Sequence, residues 1–248
     1  MRTIRAAFRL VLFVTSTIGL WAGWLVTHFF VPNKVYWRQI TFGAWTRSFV
    51  WISNMHIEVT GTPPKPPFFL VTNHLSYTDI AAIRAVVRGV FVAKAEVETW
   101  PLAGRICRDM GTIFIDRKNR RDIPRAGELI TARLDAGEGV VVFPEGTSTK
   151  GESVLPFNSS FLEFAARRDL PVSYAAISYR TPEGEMPAST AACWWEEISF
   201  FAHIWRLFHV KEYAAVINFG DQPVHNEDRK LLATELRDRV EDAFVPVV

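Results

Sequence analysis

A histidine and an aspartate stand five residues apart in the stretch VTNHLSYTD, residues 71–79. An imidazole held by a carboxylate is a general base that can take a proton from a hydroxyl group. In a straight helix, however, residues five apart diverge by roughly 140°, so the side chains of His74 and Asp79 would not share one face. They converge only if the backbone bends between them.

The bend is predicted at Ser76. Ser76 and Asp79 form an S-x-x-D pattern before the apolar run that starts at Ile80, a pattern typical of a helix capping box. With Ser76 as the N-cap, His74 lies in the preceding loop and Asp79 in the first helical turn. For this stretch alone, an ordinary helix cap explains the residues as well as a catalytic pair does.

Composition favours one large α/β domain. The chain has 248 residues and a formal net charge of +2, which argues against a nucleic-acid binder. Neither Cys107 nor Cys193 belongs to a C-x-x-C or Cys/His cluster, so we expect no zinc or redox site. Both are expected to be packing residues in a reduced compartment.

The N-terminal region is apolar enough for a membrane. Residues 10–31 contain no Asp, Glu, Lys or Arg, and as a helix they would span roughly 33 Å, close to the thickness of a bilayer's hydrocarbon core. Both ends are flanked by cations, namely Arg2, Arg5, Arg9, Lys34 and Arg38. This pattern fits a spanning helix or a hairpin entering from the cytoplasmic face, with Gly19 and Gly23 as its break. A cleaved signal peptide is a third explanation.

Three segments are therefore predicted. Residues 1–33 form the membrane-associated segment, residues 34–65 an interfacial helix followed by a Pro-rich linker, and residues 66–248 the catalytic domain. Aromatic residues between positions 36 and 51 fit an interfacial helix and a core-packing helix equally well.

From residue 66 onward, short apolar runs alternate with helical stretches. The predicted strands are 68–72, 90–93, 112–115, 140–143, 172–178 and 215–219, and the predicted helices are 77–88, 99–110, 122–136, 158–168 and 228–243. This alternation predicts an α/β fold with a mainly parallel sheet flanked by helices. The N-terminal segment adds a membrane-embedded helix or helical hairpin.

Polar residues follow four of these strands at their carboxyl ends, in the order His74, Lys94, Asp116 with Arg117, and Glu145 with Gly146. Each of them taken singly is better explained as a solvated loop residue than as part of a site. Open α/β sheets bind ligands along that edge, so together they predict a pocket there. Because Lys94 and Arg117 suit an anionic group, the pocket is expected to take a hydroxyl-bearing, anionic acceptor.

Other catalytic motifs are missing or broken. Residues 146–150, GTSTK, resemble the hydrolase motif G-x-S-x-G but end in lysine, which disfavours a serine hydrolase. The sequence contains no P-loop, no G-x-G-x-x-G and no H-E-x-x-H.

Three motifs resemble those of the glycerolipid acyltransferases, the family of 1-acylglycerol-3-phosphate acyltransferases. Residues 73–79 match the first motif, N-H-x-S-x-x-D, while residues 111–117, GTIFIDR, resemble the second and residues 143–147, FPEGT, the third. The resemblance covers residues 66 to about 225, in the family's order and spacing.

The resemblance implies an O-acyltransferase of phospholipid biosynthesis. His74 would deprotonate a lysophospholipid hydroxyl, most readily that of 1-acylglycerol-3-phosphate, for attack on acyl-CoA or acyl carrier protein; Asp79 would be its partner. Substrate-binding roles would fall to Lys94, Arg117, Glu145, Gly146 and Thr147. Backbone N–H groups near Gly146, or in the helix after Ser76, are candidate oxyanion donors. No metal or cofactor is expected, and the enzyme would work on membrane lipids with its active site facing the cytoplasm.

Departures from the family pattern concern the head group of the acceptor. Ser148 stands where the family often has arginine, Tyr174 replaces a proline of the fourth motif, and residues 194–197, WWEE, replace a Trp-Gly-Asp pattern. A lyso-ornithine lipid or another lysophospholipid therefore stays open as the acceptor. A non-catalytic lipid-binding protein is the remote alternative.

A helical stripe is predicted near the end of the domain. Its members recur at intervals of three and four residues: Trp194, Ile198, Phe201, Trp205 and Phe208. Such a stripe belongs either to the core or to a surface that contacts an acyl chain or a membrane.

Overall fold

The computed structural model describes residues 2–116, 119 and 122–247. Its centre is a seven-stranded sheet with the strand order β1-β7-β6-β2-β5-β3-β4. The strands are Met55–Thr60 (β1), Phe68–Thr72 (β2), Gly89–Lys94 (β3), Ile113–Ile115 (β4), Gly139–Val142 (β5), Val172–Arg180 (β6) and Tyr213–Phe219 (β7).

Ten α-helices and one 3-10 helix are found in the described residues. The α-helices are Arg2–Thr27 (α1), Lys34–Ser53 (α2), Thr78–Val86 (α3), Ala95–Glu98 (α4), Ala103–Asp109 (α5), Asp122–Asp135 (α6), Glu163–Arg167 (α7), Ala188–Ala191 (α8), Phe200–His209 (α9) and Arg229–Ala243 (α10). The 3-10 helix is Ser159–Leu162.

The predicted fold class is confirmed. Strands β6, β2, β5, β3 and β4 are neighbours and run parallel to one another, whereas β7 pairs with β6 in the antiparallel direction. The central strands β2 and β5 are buried at every position, as expected for apolar strands covered by helices on both faces. All six predicted strands are present, with ends shifted by at most two residues.

Strand β1 was not predicted. It pairs in parallel with β7 at one edge of the sheet, so residues 55–60 belong to the sheet although the sequence suggested only a helix and a linker between 34 and 65. The available signal was the strict alternation of apolar and polar residues in MHIEVT, although only Met55 is buried while Glu58, Val59 and Thr60 are exposed. The predicted helix 99–110 is also interrupted, since the chain turns at Leu102 with a positive φ of 60°.

Helix α1 is unbroken through Gly19 and Gly23, so the predicted hairpin break at these glycines is wrong. The turn lies instead at residues 28–33, after which Asn33 caps α2 by accepting a hydrogen bond from the Tyr36 N–H at 2.9 Å. Helices α1 and α2 then pack side by side, joined by a hydrogen bond from Trp45 Nε1 to Thr17 Oγ1 at 2.9 Å. The two helices form a hairpin that lies against the sheet domain.

Two N-terminal arginines bind the end of another helix. Arg9 is buried and donates to the carbonyl oxygens of Val210 and Lys211 at 2.6 and 2.9 Å, and Arg5 donates to that of His209. The last carbonyls of a helix have no intrahelical partner and carry partial negative charge, so α9 ends on these guanidinium groups. These cations fasten α1 to the domain, which the sequence pattern did not indicate.

Candidate active site

The first site residues follow β2, where Asn73 fixes the point at which the chain leaves the sheet. Its side chain donates to the Ile177 carbonyl oxygen at 2.9 Å and accepts from the Ile177 N–H at 2.7 Å. The buried amide thereby replaces one rung of backbone pairing with β6. His74, the next residue, is directed away from the strand at the carboxyl edge of the sheet.

The side chains of His74 and Asp79 meet as the sequence predicts. His74 Nδ1 lies 2.8 Å from Asp79 Oδ2, which also accepts hydrogen bonds from the N–H groups of Leu75 and Ser76 at 2.7 and 3.0 Å. Asp79 sits in the first turn of α3, and the loop before the helix wraps around its carboxylate. The bend between strand and helix thus overcomes the unfavourable spacing of five residues.

The predicted role of Ser76 as N-cap is wrong in part. Helix α3 begins at Thr78 after Tyr77, which has helical torsion angles and makes no side-chain cap, and Ser76 Oγ is buried without a hydrogen-bond partner among the described residues. Only the reciprocal half of the capping box forms, from the Ser76 N–H to Asp79. The Asp79 carboxylate serves the loop and His74 instead of a serine cap.

Asp79 has a further partner that the sequence analysis missed. The Tyr179 hydroxyl, on β6, donates to Asp79 Oδ1 at 2.7 Å and accepts from Thr78 Oγ1 at 2.9 Å. The carboxylate is fully buried and accepts four hydrogen bonds, so its charge is compensated without a cation in contact. The available signal was a tyrosine close to the end of a predicted strand, because a phenol that is buried there needs a partner for its hydroxyl.

His74 is oriented for proton transfer. A carboxylate only accepts, so Nδ1 carries the proton in the neutral ring and Nε2 is left as the basic nitrogen. The imidazole stacks on the Phe143 ring with centroids 4.2 Å apart, and 23% of its side chain is exposed. The ring is therefore held on one side and accessible to a substrate.

Glu145 and Gly146 lie in a tight turn after β5, the strand next to β2. The Gly146 N–H donates to the Phe143 carbonyl oxygen at 3.2 Å, with Pro144 between them and a positive φ of 79° at Gly146. Proline at the second position and glycine at the fourth are typical of such turns. Because its N–H group closes the turn, Gly146 itself does not offer the oxyanion donor considered above.

Glu145 carries a shielded carboxylate beside the His74–Asp79 pair. Neither of its oxygens has a hydrogen-bond partner of good geometry among the described residues. Burial raises the pKa of Glu145 to about 8, while the N–H groups of His74 and Leu155 act in the opposite direction and the charge of Asp79 adds to the rise. The group is therefore protonated at neutral pH and can donate a hydrogen bond.

Three loops are joined around the histidine. The Thr149 N–H donates to the His74 carbonyl oxygen at 3.0 Å, and the Trp194 N–H donates to that of Leu75 at 2.8 Å. The Ser148 hydroxyl in turn donates to the Trp194 carbonyl oxygen. The loop around Trp194 thus belongs to the wall of the site, although the sequence pattern placed Trp194 in a helical stripe.

The remaining predicted residues are less closely grouped. Lys94 is the last residue of β3 and is exposed at the same edge of the sheet, and Thr147 is an exposed loop residue beyond Gly146. Arg117 lies outside the described residues. The structure therefore brings together His74, Asp79 and Glu145.

The predicted helical stripe is wrong as one continuous surface. Trp194 and Ile198 precede α9, which begins only at Phe200. Within α9, Phe208 is buried, whereas Phe201 and Trp205 point outward, with 70% of Phe201 exposed. The core explanation thus holds for Phe208, whereas a surface that contacts an acyl chain or a membrane stays a prediction for Phe201 and Trp205.

No group of three or more His, Cys, Asp or Glu residues that could hold a metal ion occurs among the described residues. Cys193 is buried and Cys107 largely so, and burial raises the pKa of both thiols. Thiols with raised pKa values are poor nucleophiles at neutral pH, in agreement with packing roles.

Comparison with known proteins matches residues 56–178 to the family model described as Acyltransferase. A lyso-ornithine lipid O-acyltransferase of Brucella abortus is 30% identical over 70% of this chain and 70% of its own length. The chain belongs to the acyltransferase family. The acyltransferase motifs around His74 and Glu145 lie within the matched region.

Two further relatives differ in how much they share with this acyltransferase. A lyso-ornithine lipid O-acyltransferase of Pseudomonas aeruginosa is 37% identical, but the match spans about half of each chain, 53% of this one and 52% of the relative. A 1-acyl-sn-glycerol-3-phosphate acyltransferase of Neisseria gonorrhoeae is 29% identical over 77% of this chain and 74% of the relative.

A solved structure has the same fold. The 1-acyl-sn-glycerophosphate (LPA) acyltransferase PlsC from Thermotoga maritima superimposes with a TM-score of 0.68, covering 98% of this chain and 97% of that one at 22% identity. The overlap includes the N-terminal helices, so the hairpin of α1 and α2 is part of the shared acyltransferase architecture.

Proposed function

We propose that this protein transfers a fatty acyl group from an acyl thioester to the free hydroxyl of a lysolipid. The observation that carries the proposal is the 2.8 Å contact between His74 Nδ1 and Asp79 Oδ2, which leaves Nε2 as an accessible base. Curated relatives with lysolipid O-acyltransferase names support the same reaction class.

The proposed reaction is a direct transfer. His74 Nε2 takes the proton of the acceptor hydroxyl as its oxygen attacks the thioester carbonyl, and a tetrahedral intermediate forms. When the carbon–sulfur bond breaks, the imidazolium returns the proton to the thiolate, so acylated lipid and free thiol leave. Asp79 stabilises the imidazolium in between. The donor is acyl-CoA or acyl carrier protein, and no covalent acyl-enzyme is formed.

The loop after Gly146 supplies candidate oxyanion donors. Within the described part of the chain, the backbone N–H groups of Thr147 and Ser148 donate no hydrogen bond, although the loop is tied to His74 through Thr149. Uncommitted N–H groups beside the base can stabilise a developing oxyanion.

We propose 1-acylglycerol-3-phosphate as the first candidate acceptor. Its phosphate suits Lys94, the last residue of β3 at the edge of the sheet where His74 lies, together with Arg117, which follows β4 in the sequence but lies outside the described residues. A lyso-ornithine lipid is the second candidate. Ser148 replaces an arginine of the family motif and its hydroxyl is occupied by the Trp194 carbonyl oxygen, which favours a head group that needs one cation fewer.

The hairpin of α1 and α2 is proposed to embed in the membrane that supplies the acceptor. Helix α1 is long and apolar enough to cross a bilayer, but it is hydrogen-bonded to the domain at two separate points, through Arg9 at the end of α9 and through Trp21, whose Nε1 donates to Asp109 Oδ2 at 2.8 Å. Its outward face is apolar, at Ile4, Phe8, Val11, Val14 and Ile18. A helix fastened in this way fits an orientation along one leaflet, with the active site on the cytoplasmic side.

The substitution His74→Ala tests the base. Turnover should fall by about a hundredfold or more, because the hydroxyl loses its proton acceptor. His56→Ala is a matched control, since this half-exposed histidine contacts Glu212 and should leave turnover nearly unchanged. Near-normal acyl transfer by His74→Ala, measured with a radiolabelled acyl-CoA, would refute the proposed function.

A panel of acceptors distinguishes the candidates. Purified full-length protein in detergent is incubated with labelled acyl-CoA or acyl carrier protein and with 1-acylglycerol-3-phosphate, lyso-ornithine lipid and neutral lysolipids. A labelled diacyl product identifies the acceptor and the donor. Release of free fatty acid alone would indicate an esterase, and binding without product would indicate a lipid-binding protein.

A further inference from the structure

Tyr179 is a buried residue with a polar atom in contact with the active-site pair. It lies on β6, with 2% of its surface exposed, and its hydroxyl stands between Asp79 Oδ1 at 2.7 Å and Thr78 Oγ1 at 2.9 Å. A carboxylate cannot donate, so the phenolic proton points to Asp79 and the phenol oxygen accepts from Thr78. The orientation of the hydroxyl is thus fixed by both partners, since it donates to Asp79 and accepts from Thr78.

The two oxygens of Asp79 have different partners. Oδ2 accepts from His74 and from the backbone N–H groups of the loop, whereas Oδ1 accepts from Tyr179. A donor on Oδ1 holds the plane of the carboxylate and draws negative charge away from Oδ2. Tyr179 therefore acts on the face of Asp79 that is turned away from His74.

We propose that Tyr179 is a positioning residue for the acyl transfer, which holds the Asp79 carboxylate in register with His74 and limits the charge at Oδ2 so that the imidazole stays neutral. This inference rests on the proposed function, because it assigns the tyrosine a task only if His74 is the base. With a stronger charge at Oδ2, more of the imidazole would be protonated at neutral pH and unable to accept the hydroxyl proton.

Other titratable groups face Asp79 from the elements packed around it. They are His74 from the loop after β2, Glu145 after β5, Tyr179 on β6, Cys193 after α8 and Tyr213 on β7. Burial raises the pKa values of Cys193, Tyr179 and Tyr213, which keeps these groups protonated. Burial also raises the pKa of Glu145, to about 8, so a charge on Glu145 does not compete with the Tyr179 contact at neutral pH.

Tyr179→Phe removes the hydroxyl and keeps the ring. At pH 7 we expect kcat/KM to fall by about tenfold, the cost of one lost hydrogen bond to a charged group. The acid limb of the profile of kcat/KM against pH should move to higher pH, and the variant should approach the wild type on the alkaline side. A merely structural role would lower the whole profile without moving its limb.

Tyr213→Phe is the matched control. Tyr213 is equally buried and lies 6.1 Å from the Tyr179 ring, but its hydroxyl donates to Ser53 Oγ. Its acid limb should coincide with that of the wild type. If both variants move the limb equally, or if Tyr179→Phe leaves it in place, the inference is overturned.

A second variant keeps the test decisive if Tyr179→Phe folds poorly. Thr78→Val leaves Tyr179 in place but removes the donor to its oxygen, which weakens the polarisation of its own donated hydrogen bond. The limb should move in the same direction by a smaller amount, and an unchanged limb would count against the inference. Retained activity in His74→Ala would instead refute the proposed function, so the two failures are distinguishable.

Discussion

Two buried carboxylates lie at opposite edges of the same sheet. Asp79 stands at the carboxyl edge beyond β2, and Glu138, with 3% of its surface exposed, stands at the amino edge just before β5. Asp79 is surrounded by an imidazole, two backbone N–H groups and a phenol. Glu138 is surrounded by guanidinium groups and an amide, from Arg38, Arg133 and Gln39.

The difference lies in the partners. Arg38 and Gln39 belong to α2, and Arg38 contacts the two Glu138 oxygens at 2.5 and 2.6 Å, so this carboxylate fastens the helical hairpin to the sheet. Guanidinium groups stay charged at every working pH, whereas an imidazole changes its protonation during a reaction. A buried carboxylate therefore indicates a chemical site only where its partner can exchange a proton.

Asp79→Asn should have the largest effect on catalysis. The amide oxygen can accept from His74 and the loop N–H groups, and the amide nitrogen can donate to Tyr179, so the geometry is kept and the charge is lost. Without that charge the imidazolium is not stabilised, and kcat should fall by roughly 10²- to 10⁴-fold. Steady-state kinetics with acyl-CoA and lysolipid measures the loss.

Asp109→Asn provides the control for that prediction. Asp109 also accepts a side-chain hydrogen bond, from Trp21 of the hairpin, but it lies in α5, outside the group formed by His74, Asp79 and Glu145. Its kcat should stay within about threefold of the wild type, as expected for a partly exposed contact. Equal losses in the two variants would show that carboxylate removal acts through the fold and not through the base.

Glu138→Gln should affect stability more than chemistry. The substitution leaves Arg38 and Arg133 without their buried counter-charge, which costs about 3 kcal/mol or more of the free energy of unfolding. For a chain of this size the Tm should fall by about 10 °C, while kcat per folded molecule stays within about twofold. Circular dichroism melting in detergent, combined with kcat normalised to the folded fraction, checks both parts.

Arg38→Gln, which removes the opposite partner, should lower the Tm in the same direction. A loss of kcat as large as that of Asp79→Asn, with an unchanged Tm, would contradict the division between the two edges. It would imply that the contact between Arg38 and Glu138, which fastens the hairpin to the sheet, takes part in the reaction.

The local part of the active site could be predicted from the sequence. His74 and Asp79 are separated by one bend, so a few residues of sequence are enough to predict that their side chains meet. Short apolar strands such as β2 and β5 can likewise be recognised from their own residues. Even here Ser76 misled, because the Asp79 N–H, from which a capping serine hydroxyl would accept, donates instead to the Ser76 carbonyl oxygen.

Contacts between distant segments could not be predicted in the same way. Tyr179 reaches Asp79 only because β6 pairs with β2, and Arg9 reaches Val210 only because α1 packs against α9. The charge pattern of residues 1–38 suits membrane flanks as well as helix anchors, since both require cations beside apolar residues. The order of the strands and the packing of the helices decide between such alternatives, and neither can be predicted from local periodicity.

Glu145 is a third shielded carboxylate. Among the described residues, neither an imidazole nor a guanidinium group is hydrogen-bonded to it. Its pKa is raised from 4.5 to about 8, chiefly by burial, so the folded protein keeps a proton there that the unfolded chain has released. Stability from this group is therefore complete below about pH 4.5 and is lost as the pH rises towards 8. The Glu145→Gln variant carries no such proton and should escape this loss.

We therefore expect the Tm of Glu145→Gln to match the wild type near pH 5 and to exceed it near pH 9. The difference in the free energy of unfolding should reach about 1–2 kcal/mol, reduced from the full effect of the shift by partial exposure of the residue. Glu96→Gln, an exposed glutamate of α4, should show no such trend. A constant Tm difference across this range would mean that Glu145 is ionised in the folded protein, and its carboxylate would then require a cationic partner as Glu138 does.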